Sequence, residues 1–444
     1  MCLGELLNLE IFKTKGGMYS MENLTLLSSA HLKELKNIYL QEYELITHQN
    51  FSLDISRGKP SKEQLDLSTP LLNALANRSN FSSKNCSDYR NYGNMDGLLE
   101  LKKFMSELTG ISEENFIVGG NSSLSMMFDV ISCYMIHGVL GNTPWSKQEK
   151  IKFLCPSPGY DRHFAMCECF GMELVPVKMT SQGPDMDFIE NIVSSDDSVK
   201  GIWCVPKYSN PQGITYSNQT VTRFAKLKPK AKDFRIFWDN AYFVHDLTET
   251  ETPLLNLMEE CKKYHTEELP IVFFSTSKIT LAGAGVAFLA CGKENLKQLK
   301  RNYSFKTVGF DKVNQMRHLE FLKDKSNLKL HMKKQRSIIK PKFDLILEYL
   351  DREFSNNPIL SWTTPKGGYF ISVDTMPGCA RRTVQLCKEC GLTLTPAGST
   401  FPYGKDPQDS NIRIAPTFPS LNELRAAMKI FCLSVKLAYV ESKI

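Results

Sequence analysis

Apolar and polar positions alternate along this chain in two registers. Residues 23–49, "NLTLLSSAHLKELKNIYLQEYELITHQ", repeat apolar side chains at helical spacing, and "NFSLDISRGKP" then reads as an extended segment ending in a turn. From about residue 98 to 300, helical patterns alternate with short, continuous apolar runs: "NFIVGG", "KIKFLCPS", "MELVPVKM", "GIWCVP", "RIFWDNAY", "IVFFST" and "VAFLACG". Runs that are apolar at every position suit strands buried on both faces, which is the state of a parallel sheet between helices. After about residue 312 the pattern predicts one long helix, with "KDKSNLKLHMKKQRSIIKPK" as its solvated face. A smaller α/β unit follows, with strand-like "GGYFISVD", "LTLTPAG" and "NIRIAP". The fold class is therefore α/β: a large domain built on a mostly parallel, seven-stranded sheet flanked by helices, plus a smaller α/β domain.

Composition narrows the classes without changing that picture. The chain has 444 residues, too many for a single core, with 42% hydrophobic and 23% charged residues, as in an ordinary globular protein. Its net charge is +6, but the basic residues are scattered, so no nucleic-acid partner is expected. No apolar stretch reaches the roughly 18 residues a membrane span needs without a charge. "SMMFDVISCYMIHGVLG" comes nearest, and it carries Asp129 and His137. The N-terminus has no signal-peptide pattern. Its first 20 residues read as loosely ordered, and Met18 or Met21 is an alternative start. Of the 13 cysteines, Cys155, Cys204, Cys291 and Cys432 lie inside apolar runs. "CKEC" at 387–390 has no second pair at zinc spacing, so no metal is expected, and the usage suits a reducing cytoplasm.

Candidate chemistry collects at strand ends, where ligands bind in open α/β sheets. In "FFSTSKITLAGAGVAF" (273–288), Lys278 follows an apolar strand and two serines, Ser275 and Ser277. A lysine among serines is ordinarily a surface residue. Drawn into a partly buried site it becomes a nucleophile or Schiff-base former. "FIVGGNSSLSMMFDVI" (116–131) reads as strand, Gly-Gly turn and helix, with Gly120, Asn121, Ser122 and Ser123 at the helix start. That is either an anion cradle or a plain N-cap. "WDNAYFVHDL" puts Asp239 beside Phe237 and Trp238 with Tyr242 three residues on, and a buried carboxylate there needs a cationic partner. "VPKYSNPQG" places Asn210 in a Pro-rich turn. "SNIRIAP" sets Arg413 between two isoleucines, where its fork has to meet a carboxylate or phosphate, whether from a ligand or from the chain itself.

With those motifs in order ("YGNMDGLLELKK", "GGNSS", "PSPGY", "SNPQG", "DNAY", "STSK", "GGYF", "IRIAP"), the chain resembles fold-type I pyridoxal phosphate-dependent aminotransferases of the class I aspartate aminotransferase type, from about residue 50 to 440. "SRGKP", "RNYGNMDG" and "SKITLAGAG" resemble a less common bacterial subgroup. The resemblance implies an N-terminal segment (1–65) joining the small domain, a large cofactor-binding domain (66–312) and a small C-terminal domain (313–444). It implies pyridoxal 5′-phosphate as cofactor, carried by Lys278. Asp239 would pair with the ring nitrogen, and Tyr242 and Asn210 with the phenolic oxygen. Gly120, Asn121, Ser122, Ser275 and Ser277 would surround the phosphate. Tyr92 would reach the phosphate of a neighbouring subunit, which implies a homodimer with shared sites. Arg413, helped by backbone near Gly58, would take the substrate α-carboxylate.

Two departures stand out. Many relatives carry a phosphate-clamping arginine where this chain has Val286, and the backbone of Gly283 and Gly285 is the expected substitute. Pro158 stands at the usual position of the ring-stacking aromatic, which leaves Tyr160 as the candidate. The implied reaction is transamination, with L-aspartate and 2-oxoglutarate as the leading pair. Another fold-type I enzyme, such as an aromatic or α-aminoadipate aminotransferase or a C–S lyase, is the alternative. A non-catalytic cofactor-binding regulator is disfavoured by the joint retention of Lys278, Asp239, Tyr242, Asn210 and Arg413. A dicarboxylic donor needs a second cation. Arg57 is the first choice for it, with Arg162 or His163 as the alternative.

Overall fold

The computed structural model describes residues 23–82 and 88–444. The expectations about the first 20 residues and the start methionine lie outside the described residues. The strands are β1 (Leu53–Asp54), β2 (Phe116–Gly119), β3 (Lys152–Ser157), β4 (Glu173–Thr180), β5 (Gly183–Pro184), β6 (Val199–Cys204), β7 (Arg235–Asp239), β8 (Pro270–Ser275), β9 (Ala287–Cys291), β10 (Leu360–Trp362), β11 (Ile371–Thr375), β12 (Leu392–Thr393) and β13 (Asn411–Ile414).

The main sheet runs β2-β9-β8-β7-β6-β3-β4-β5. Strands β8, β7, β6, β3 and β4 are parallel, while β9 lies antiparallel between β8 and β2. Each of the seven apolar runs forms one strand. The eighth strand, β5, is a two-residue hairpin partner of β4, too short to leave a pattern in the sequence. Every residue of β2, β6, β7, β8 and β9 is buried, which is why their sequences are apolar throughout.

The register fixes what meets at the ligand-binding edge. Gly119 pairs with Ala287, which pairs with Ser275. The antiparallel β9 thus sets the turn after β2 beside the turn after β8, although the two are far apart in sequence.

A second sheet, β10-β11-β13, is antiparallel, and β1 pairs in parallel with β12. One apolar cluster packs Leu32, Leu35 and Tyr39 of the helix Ser29–Thr47 with Phe343, Ile346 and Leu350 and with Met428, Phe431 and Val435 of the terminal helix Leu421–Lys443. The expected single long helix after 312 is two, Lys312–Leu322 and Lys325–Phe354. The break is local: Lys323 adopts φ +58°, and Asp324 caps the second helix by accepting from the Asn327 amide at 2.9 Å. Among the described residues no helix is long and apolar enough to cross a membrane.

Candidate active site

A cavity of about 340 Å³ opens where β3, β6, β7 and β8 end. Lys278 reaches it from the turn after β8. That turn is tied down on its far side. Thr276 exchanges bonds with the Val286 backbone, its amide donating to the carbonyl at 2.9 Å and its hydroxyl accepting from the amide at 2.9 Å. His318 Nε2 lies 3.0 and 2.9 Å from the Thr276 and Thr280 hydroxyls. The Lys278 carbonyl accepts from the Tyr369 hydroxyl at 3.3 Å and lies 3.3 Å from His245 Nε2.

The Lys278 Nζ stands 5.1 Å from the Tyr242 ring centre and 5.8 Å from that of Tyr369. Burial pushes the lysine amine below its usual pKa and Arg413 adds to the effect, while Asp239 opposes it. More of the amine is therefore free base, the form that attacks a carbonyl. Burial also pushes His245 down to about 3, so this ring holds the lysine backbone without adding charge at neutral pH. Tyr242 is buried and its phenol is raised well above the usual value, so it stays protonated and able to donate.

Asp239 closes β7 at the cavity floor. Its Oδ2 lies 3.2 Å from His163 Nε2, and His163 in turn stacks on Trp203 at 4.2 Å and 9°. Its Oδ1 is buried and has no hydrogen-bond partner among the described residues. An unsatisfied buried oxygen of this kind costs about 1–3 kcal/mol. A protonated ring nitrogen is the type of donor that would satisfy it, so the donor set fits a pyridinium cofactor. This finding corrects one expectation: His163, 1% exposed and engaged with Asp239, is not placed to meet a substrate carboxylate.

At the opposite wall, Ser122 caps the helix Ser123–His137 by accepting from the Ser125 amide at 3.3 Å. Ser122, Ser123, Ser275 and Ser277 all line the cavity. Gly120 (φ +51°) and Asn121 sit just behind them, where the Ser277 hydroxyl donates to the Asn121 carbonyl at 3.1 Å. A Cβ on Gly285 would come within 2.8 Å of that carbonyl, so glycine lets the two turns close on each other. Val286 is 2% exposed and faces the core, so no cation stands there. A Cβ on Gly283 would meet nothing within 4 Å, so this glycine packs closely against no neighbour.

Arg413 enters from β13. Its Nη1 donates to Asp161 Oδ1 at 2.9 Å and to Asn210 Oδ1 at 3.3 Å, and its Nη2 donates to the Thr395 hydroxyl at 3.2 Å. Phe370 lies under the guanidinium at 4.9 Å. The internal salt bridge and the cavity-facing arginine, separate possibilities in the sequence, occur together here. Gly58 also lines the cavity, and a Cβ there would strike Phe370 at 2.6 Å. Arg57 and Arg162 are exposed at the mouth and form no ion pair among the described residues. Tyr160 lines the cavity edge-on to His163 at 4.9 Å. Tyr92 is 83% exposed and lies outside this cavity. Sequence reasoning did not single out Asp161, His245 or Tyr369, nor His163 as the partner of Asp239. Only their reach in three dimensions marks them.

The chain belongs to the aspartate aminotransferase family, which it matches over residues 27–444, and it is an aminotransferase with the fold-type I architecture. It is 41% identical over 402 residues to an aspartate aminotransferase of Corynebacterium glutamicum, covering 90% of this chain and 93% of that one. The crystal structure of an aspartate transaminase from that organism superposes with a TM-score of 0.92 at 39% identity, covering 96% of this chain and all of that one. The α-aminoadipate aminotransferase of Thermus thermophilus, complexed with N-(5′-phosphopyridoxyl)-L-leucine, shares the fold at a TM-score of 0.70 and 19% identity, over 91% of this chain and 96% of that one.

Proposed function

We propose that the protein transfers the amino group of L-aspartate to 2-oxoglutarate, giving oxaloacetate and L-glutamate, with pyridoxal 5′-phosphate as cofactor. One observation carries the reading: Lys278, the partnerless Oδ1 of Asp239 and the guanidinium of Arg413 converge on one cavity. The names of the Corynebacterium glutamicum relatives support aspartate as donor. So do Arg57 and Arg162, two cations at the mouth able to take a side-chain carboxylate.

Lys278 would attach the cofactor, Asp239 would face the ring nitrogen, and Tyr242 and Asn210 the phenolic oxygen. Ser122, Ser275, Ser277 and the Gly120–Asn121 turn would hold the phosphate, with Tyr160 at the ring face. When bound, the cofactor supplies an electron sink for the charge that develops at the substrate Cα. Arg413 orients the amino acid by its α-carboxylate. Lys278, with its amine biased toward the free base, takes the proton from Cα and returns one in the reverse half-reaction. His163 keeps Asp239 in place from behind.

A second subunit completes this reading. Tyr92, Phe305 and Val308 are 83%, 73% and 60% exposed, and the Gly93 amide donates to the Val308 carbonyl, which puts the segments side by side. A homodimer would cover this apolar patch and carry Tyr92 to the partner's phosphate end. The test is a panel of amino donors (aspartate, alanine, phenylalanine, α-aminoadipate) with 2-oxoglutarate. Aspartate is expected to give the highest kcat/KM, and a preference for an aromatic donor overturns the assignment.

A further inference from the structure

Arg413 already carries a carboxylate. Its Nη1 holds Asp161 at 2.9 Å, and the two side chains are buried very unequally, 5% exposed for the arginine and 34% for the aspartate. Both line the cavity. The carboxylate therefore stands on the open side of the guanidinium, on the approach of an α-carboxylate. We propose that Asp161 is a resident counter-ion of Arg413, which the substrate α-carboxylate displaces. The inference rests on Arg413 being the α-carboxylate site.

Three features support an exchange. A guanidinium as buried as Arg413 is costly without an anion, so a counter-ion from the chain keeps the site formed between turnovers. The remaining partners of Arg413, Asn210 and Thr395, are neutral and hold its orientation whichever carboxylate is present. Finally, Asp161 is the first residue of the helix Asp161–Cys169, which has no side-chain cap. The positive pole of that helix, whose His163 amide is already taken by the Tyr160 carbonyl, favours the displaced carboxylate electrostatically where it stands. The cost of displacement falls on every ligand that uses Arg413. Asp161 therefore sets KM upward and rejects molecules that bring no carboxylate to replace it.

Succinate binding to the cofactor-loaded protein, measured by calorimetry, tests this. Asp161→Asn and Asp161→Ser, each first checked for an unchanged melting temperature, are expected to bind succinate about tenfold more tightly than the parent, since a charge-assisted bond no longer competes. The KM for L-aspartate should fall alongside, with kcat changed much less. The gain should vanish when Asp161→Asn is combined with Arg413→Lys. Equal or weaker succinate binding by the folded Asp161 variants overturns the proposal while leaving Arg413 in its role. Succinate binding indifferent to Arg413→Lys overturns both. Should Asp161→Asn melt early, Asp161→Ser decides.

Discussion

The two charged ends of the cavity are built on different terms. At the Asp239 end everything comes from the main sheet and the helix packed on it. The carboxylate closes a fully buried strand, one oxygen is fixed by a histidine that is itself stacked on Trp203, and the other is held out without a partner among the described residues. At the Arg413 end the partners come from three separate segments, and one of them is a competing anion. On the proposed roles of Asp239 and Arg413, the difference follows from residence time. A cofactor stays through many turnovers, so its partner can be rigid and left unsatisfied until it is met. A substrate leaves every cycle, so its site has to be stable with and without it. Interchangeable contacts achieve that, and a lone buried charge does not.

The contrast is broken most severely at the lysine. Lys278→Ala is expected to lower turnover ~10⁴-fold or more while leaving a folded protein, because both the attachment point and the acid–base group are lost. Borohydride reduction of the parent followed by peptide mapping should place the pyridoxyl label on Lys278, and label on another lysine refutes the assignment. Asp239→Ala should lower kcat by about two decades, the equivalent of about two pKa units at the ring nitrogen. Cofactor occupancy, read by absorbance, should change far less, and near-normal turnover would make Asp239 a structural carboxylate. Arg57→Ala should cost L-aspartate roughly one to two decades in kcat/KM and spare L-alanine. Equal losses for the two donors would move the side-chain contact to Arg162.

The smallest effect concerns stability. Buried His245 has its folded pKa depressed to about 3, against an ordinary value of 6.5. Between those values the unfolded chain binds the extra proton, so stability is full above about pH 6.5 and declines as the pH falls toward 3. The melting temperature should drop on acidification from pH 7 to 4, and by less in a folded His245→Asn variant. An identical pH slope in the two proteins would exclude His245 as a source.

The sheet was readable because its strands are buried on both faces, so that "RIFWD" and "PIVFFS" leave unbroken apolar runs. Strand β10 carried no such signal, since its three residues run from buried to exposed to half-buried. The break at Lys323 was hidden inside a continuous amphipathic pattern because it depends on a single positive φ. Within the site, Lys278, Asp239 and Arg413 stand out as charges at the ends of apolar strands. His163 and Asp161 do not, because a histidine and an aspartate in "GYDRHF" are ordinary residues for the start of a surface helix. Their reach to Asp239 and Arg413 spans 76 and 252 positions in the sequence and belongs to the tertiary fold.

The pairing of β1 with β12 has a consequence for the order of assembly. The segment carrying Arg57 and Gly58 is hydrogen-bonded at Leu53 and Ile55 to Gly391 and Thr393, and the Ala415 amide donates to the Ile55 carbonyl. Segments from early and late in the sequence thus meet at the Arg413 side of the cavity. During synthesis the strands leading to Lys278 precede β12 and β13, so the Arg413 side of the cavity closes only after both are made. Pairing segments so far apart in sequence is intrinsically slow, so the clasp of β1 on β12 is among the contacts of highest loop-closure cost at this side of the cavity.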